Sequence, residues 1–332
     1  MSGLLALVLF EGVASLALAW ADREPQGLSE SSHCTYDPLL GWVQKKSTHV
    51  KDLYGPGLNL TTNERGLRRE EEVNSTPPAG KERILCIGDS FTLGHGVDDQ
   101  ATFPAWLEAL DPTLEALNMG QGGYGIDQCF LWYRRDAKDL ECDIVLLSFI
   151  APDFERALSG RFQGSYPKPK LRVEGDRLIL PQEDLPKDWS KSSDSLGGFF
   201  ENLALARLAK SLRWRTNSGG NTPQYDDAIE TLGKAMLREL DALAKERGAK
   251  LALAHLPLRD RKSGGAQALL KWLRPFAEEL EVPLFDLTQD FESYVPGEAD
   301  ALYLDDGHMN AVGNRRVAEI LLREFAAVSW LR

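Results

Sequence analysis

The stretch Asp143-Ile-Val-Leu-Leu-Ser-Phe-Ile150 constrains this chain more than any other. An apolar run of that length, interrupted only at Ser148, with charge before it and proline after it, reads as a strand covered on both faces. Such strands belong to parallel sheets, whose crossover helices supply the covering layers. Ile84–Ile87 and Lys250–His255 are runs of the same kind, and weaker ones occur at 116–119 and 283–285. Helix-periodic segments fall between and after them, at 103–110, 127–138, 226–247, 266–280 and 312–325. That alternation predicts an α/β fold with a mainly parallel sheet starting near Lys81.

Two regions break the alternation. Residues 153–223 contain a predicted hairpin, Lys170–Val173 and Arg177–Leu180 around Glu174-Gly-Asp176, and a helical stretch at 203–214. Their apolar periodicity is too sparse for a separate core, so this region reads as an excursion from the sheet. Residues 22–80 are rich in Pro, Gly, Ser, Asn and charge and read as a linker and irregular lead-in, with Tyr36–Trp42 as the ordered-looking patch. Before them, Gly3–Trp20 is apolar except for Glu11 and Ser15. Segment 1–21 is therefore expected to be a signal peptide or a membrane anchor, with attachment through residues 3–20 and the bulk of the chain exported.

A net charge of -12 without any Lys/Arg-rich block excludes nucleic acid as an expected partner. Arg68-Arg69 and Arg259-Asp-Arg-Lys262 read as solvated surface. The four cysteines, Cys34, Cys86, Cys129 and Cys142, have no CxxC spacing, so no metal site is expected from them. An oxidising compartment would permit a Cys129–Cys142 bridge.

Where Ile84–Ile87 ends, Gly88-Asp-Ser90 follows, and the carboxyl end of a buried strand is where open α/β sheets place their ligands. The same residues would also suit an ordinary helix cap. Activating a serine calls for a base, and the histidines are His33, His49, His95, His255 and His308. His33 and His49 sit in the lead-in, and His255 ends an apolar strand. His95 has no evident neighbour to orient its ring. His308 stands in Tyr303-Leu-Asp-Asp-Gly-His-Met-Asn310, just before the last helix. An acid two or three residues earlier can accept the imidazole N–H and fix its tautomer, and both Asp305 and Asp306 qualify.

Taken together, Gly88-Asp-Ser-Phe-Thr-Leu93, Asn118-Met-Gly-Gln-Gly-Gly123 and Asp305-Asp-Gly-His308 resemble the sequence blocks of the SGNH (GDSL-type) hydrolase family across about 81–327. The resemblance implies a flavodoxin-like three-layer sandwich with a five-stranded sheet, no cofactor, and ester chemistry on a small-molecule, glycan or lipid substrate. It also implies Ser90 as nucleophile, His308 as base, Asp305 (or Asp306 in its place) as the histidine's partner, and the N–H groups of Ser90 and Gly123 as an oxyanion hole. One departure stands out. The family's third block supplies an asparagine donor after the third strand, and here that position holds Pro152 or Asp153. Proline has neither donor, and losing one donor of this kind commonly costs about 10²–10³ in rate. Either another group substitutes, Asp153 acts while protonated, or activity is weak.

Three other functions compete with hydrolysis. Gly120-Gln-Gly-Gly-Tyr-Gly125 also fits G-x-G-x-x-G, but it lies in the second strand–helix unit and lacks the expected downstream acid. A hydrolase fold kept only for binding would explain the missing asparagine, although the serine, acid and histidine set is intact. An acyltransferase would use the same residues with a sugar hydroxyl in place of water.

Overall fold

The protein is described from a computed structural model that covers residues 32–162, 166–175, 177–187, 223–259, 265–292 and 299–331. Segment 1–21 and the expected helix at 203–214 lie outside these residues. Among the described residues no helix is long and apolar enough to cross a membrane.

Strands β1 (Glu82–Gly88), β2 (Leu114–Gly120), β3 (Ile144–Phe149), β4 (Lys250–His255) and β5 (Leu284–Asp286) form one sheet in the order β5-β4-β3-β1-β2. Every pairing is parallel. This is the flavodoxin-like order. The connections leave β1 in opposite directions, which opens a crevice at the carboxyl ends of β1 and β3.

Among the described residues the α-helices are α1 (Ser90–Leu93), α2 (Phe103–Leu110), α3 (Ile126–Asp136), α4 (Ala151–Ala157), α5 (Pro223–Glu246), α6 (Gly265–Glu279), α7 (Thr288–Glu292) and α8 (Ala311–Ala327). Alternate strand residues feed two separate cores, which is why the central strands read as near-continuous apolar runs. Leu85, Ile87, Val145, Leu147, Leu251 and Leu253 pack with residues of α3, α5 and α6. Ile84, Cys86, Ile144, Leu146, Ala252 and Ala254 pack with Phe103 and Leu107 of α2 and with Val317, Leu321 and Phe325 of α8. The result is three layers, helix, sheet and helix.

The lead-in and Arg68 differ from the sequence expectation. The lead-in is a built part of the fold. Cys34–Asp37 pairs with Gly41–Gln44, and Thr48–Val50 pairs with Leu60–Thr62. Arg68 is buried, not solvated. Its guanidinium donates to the carbonyls of Asn59, Leu93, Gly94 and Val97 at 2.7–2.8 Å and to Asp99. These bonds tie the lead-in to the loop after α1. All four cysteines are free and buried, so Cys129 and Cys142 form no bridge. The excursion opens with α4, where Pro152 occupies the first turn. A proline there starts a helix, because the N–H it lacks would have had no intrahelical partner. The predicted hairpin is present as Arg172–Glu174 paired with Arg177–Ile179.

Candidate active site

Ser90 is the first residue of α1, at the end of β1. Asp89 caps that short helix, with Oδ1 accepting the Phe91 N–H at 2.8 Å. Two glycines let the neighbouring chain approach. A Cβ at Gly120 would lie 2.1 Å from the Leu93 nitrogen, so the end of β2 packs directly on α1. Gly123 has φ +76°, a conformation that favours glycine, and a Cβ there would meet Phe162 at 2.7 Å. Trp42 of the lead-in donates its ring N–H to the Gly122 carbonyl at 2.9 Å, bracing this turn from outside.

His308 arrives from the opposite end of the chain. The Leu304 N–H donates to the His308 carbonyl at 2.7 Å, and Gly307 takes φ +89° within the turn they close. The turn aims the imidazole at β1, and His308 Nε2 lies 2.9 Å from Ser90 Oγ. Ser90 Oγ is also 3.5 Å from Asp89 Oδ2, but at that separation a hydrogen bond is weak, and the imidazole is the stronger partner.

Asp306 is the acid that holds His308. Its Oδ1 accepts the His308 backbone N–H and its Oδ2 faces Nδ1, both at 3.0 Å. Asp305, the acid preferred from the sequence, is exposed on the wall of the cleft and makes no hydrogen bond to His308. A carboxylate two residues ahead can reach both the backbone and the ring of the histidine in this turn. Burial pushes the Asp306 carboxyl up, yet the bonds and charge of His308 outweigh it and leave it below its ordinary value.

His95, which has no evident partner in the sequence, belongs to this group. Its backbone N–H donates to the Ser90 carbonyl at 2.9 Å. The ring stacks 4.4 Å from His308, packs edge-on against Tyr54, and places Nε2 3.5 Å from Asp306 Oδ2. Burial and then the neighbouring His308 lower its pKa to about 4, so it is neutral near pH 7. His95, Asp306 and His308 could each offer one donor atom to a metal ion, all within 4.8 Å of one another. His255 is a satisfied core histidine, bonded to Asp286 at 3.0 Å.

Arg156 is the second residue the sequence did not single out. It lies one turn beyond Pro152 on α4, at the wall of the cleft. Nη1 donates to Asp89 Oδ2 at 3.1 Å, to the Tyr124 carbonyl at 3.0 Å and to Asp153 Oδ1 at 2.5 Å. Asp153 is fully buried beneath it, and its Oδ2 accepts the Ile150 N–H at 2.9 Å. Burial, and after it the Asp89 charge, push the Asp153 carboxyl well above its usual range. A histidine or an asparagine is recognised by its place in a pattern. An arginine one helical turn past a strand end would have been a cue only once α4 was known to be a helix.

The open cleft above Ser90 measures about 620 Å³. Phe91, Ile150, Pro152 and Leu258 give it apolar surface, and Arg156 and Arg259 give it charge.

Sheet order and crevice together define a flavodoxin-like α/β sandwich with a serine, histidine and aspartate in line at its carboxyl edge. Solved structures to which the chain is similar include a member of the lipolytic protein G-D-S-L family from Veillonella parvula, at 14% identity and TM-score 0.45, over 74% of this chain and 98% of that one. Others are the lipase/acylhydrolase from Enterococcus faecalis (16%, TM-score 0.40, 74% and 95%) and the acetylxylan esterase Axe2 from Geobacillus stearothermophilus (16%, TM-score 0.44, 76% and 98%). No protein-family model matches the sequence, and no curated protein matches it. Likenesses at this level carry no argument, and the chemistry rests on the site's own geometry.

Proposed function

We propose that this chain is a serine ester hydrolase of the SGNH type, exported or anchored through residues 3–20, that acts on an acylated carbohydrate or lipid through an acyl-enzyme. The observation that carries the reading is the 2.9 Å contact between Ser90 Oγ and His308 Nε2, backed by Asp306 at 3.0 Å on the far side of the ring. With Asp306 ionised, Nδ1 carries the proton and the Nε2 lone pair faces the serine hydroxyl. His308 takes that proton as Ser90 Oγ attacks the ester carbonyl. The Ser90 and Gly123 N–H groups then donate to the oxyanion of the tetrahedral intermediate. When the intermediate collapses, the proton passes from His308 to the leaving alcohol. Water, deprotonated by the same imidazole, releases the acyl group from Ser90. An open cleft with apolar and cationic walls suits a bulky acylated substrate better than an enclosed pocket would.

Turnover of a short-chain nitrophenyl ester and labelling by a serine-directed fluorophosphonate test this reading. Wild type should turn over and label, while Ser90→Ala and His308→Ala should do neither. Equal turnover by wild type and Ser90→Ala would replace the hydrolase reading with a binding role.

A further inference from the structure

We infer that Arg156 is a catalytic residue of this site, its guanidinium donating to the oxyanion from the wall where Pro152 offers no donor. The role rests on the hydrolase reading above and deepens it.

Position makes the first argument. Arg156 Nη1 is bonded to Asp89, the residue before the nucleophile, and to the carbonyl of Tyr124, the residue after Gly123. The guanidinium is therefore anchored to both segments that carry the backbone donors. Asp89 Oδ2 stands 3.5 Å from Ser90 Oγ and 3.1 Å from Arg156 Nη1, so a single carboxylate oxygen links nucleophile and arginine. On its other side the guanidinium lies 5.7 Å from the Phe162 ring centre, the ring that covers Gly123.

Unused capacity makes the second. An arginine carries five N–H donors. Among the described residues only Nη1 makes hydrogen bonds, and Nε and Nη2 make none. The side chain is 24% exposed, and that exposure is in the cleft beside Ser90. Asp153 adds a further bond to Nη1, which fixes the plane of the group. A donor held in this way needs no reorganisation when charge develops on the substrate oxygen.

The test is steady-state kinetics on a nitrophenyl ester with Arg156→Lys, Pro152→Asn and the double variant. Lysine keeps a cation against Asp89 and Asp153, so the fold, followed by thermal melting, is retained while the planar donor edge is lost. Arg156→Lys should lower kcat about 10²-fold with KM within threefold, the signature of an interaction made only in the transition state. Pro152→Asn in that background supplies an amide donor from the same wall and should recover at least about tenfold of kcat. Guanidinium ion added to Arg156→Ala should restore part of its rate. Wild-type kcat in Arg156→Lys, a loss confined to KM, or no recovery in the double variant would each overturn the assignment. Equal turnover by wild type and Ser90→Ala would overturn the hydrolase reading, and this role with it.

Discussion

Replacing Asp306 by asparagine separates two neighbouring acids that the sequence does not distinguish. Asp306 accepts two hydrogen bonds from His308, one from the backbone and one at Nδ1. An asparagine whose carbonyl takes the backbone bond must turn its NH₂ toward Nδ1. The imidazole is then driven to the tautomer with its proton on Nε2, pointing at Ser90, and cannot act as the base. For a fully buried triad aspartate this exchange costs about 10⁴ in kcat. Asp306 keeps 44% of its side-chain surface exposed, so water screens part of its charge. The loss expected here is therefore smaller, about 10²–10³ in kcat with little change in KM. Asp305→Asn, at the next position and without a bond to His308, should stay within about threefold of wild type. Hydrolysis of a short-chain nitrophenyl ester, followed at pH 7–8, reads both variants. Equal losses in the two, or an Asp306→Asn enzyme within tenfold of wild type, would refute the assignment.

Lys168 and Asp127 form an ion pair with no exposed side-chain surface, and the ammonium also donates to the carbonyls of Arg156 at 3.0 Å and Ser159 at 3.3 Å. Lys168→Met leaves the Asp127 carboxylate buried without its cation and should cost about 3–5 kcal/mol in urea unfolding. A drop under 1 kcal/mol would mean that the pair is not closed in solution. His95 supplies a dependence on pH. Its pKa is lowered to about 4 in the folded protein, so between that value and the ordinary 6.5 the unfolded chain binds the extra proton. Stability must therefore fall as pH drops through this interval. His95→Asn should show a smaller decline in Tm from pH 6.5 to 4 than wild type, and parallel declines would disprove the burial argument.

The sheet was legible because each of its central strands feeds two cores at once. Ile84–Ile87 and Ile144–Leu147 are covered by a core on each face, so hydrophobicity alone marks them. The lead-in was not legible for the opposite reason. Its hairpins are only three or four residues per strand, and tertiary anchors fix their position. Arg68 reaches carbonyls on four other residues, and Asp37 takes the Arg135 guanidinium at 2.7 Å. Partners 9 to 98 residues apart leave no periodicity to read.

In the site, Ser90, Gly123 and His308 could be named because each sits at a strand end or beside a turn, where backbone geometry restricts the residue type. The contributions of Asp306, His95 and Arg156 depend on where side chains cross in space. Asp89 shows how closely these contributions are joined. Oδ1 caps the helix that begins with Ser90, and Oδ2 accepts from Arg156. One carboxylate thus caps the helix that begins with Ser90 and holds the guanidinium beside it. A neutral asparagine at 89 could keep the cap but would lose the charge that holds Arg156 in place. Two of the proposed oxyanion donors, on two different helices, are thereby set by a single side chain.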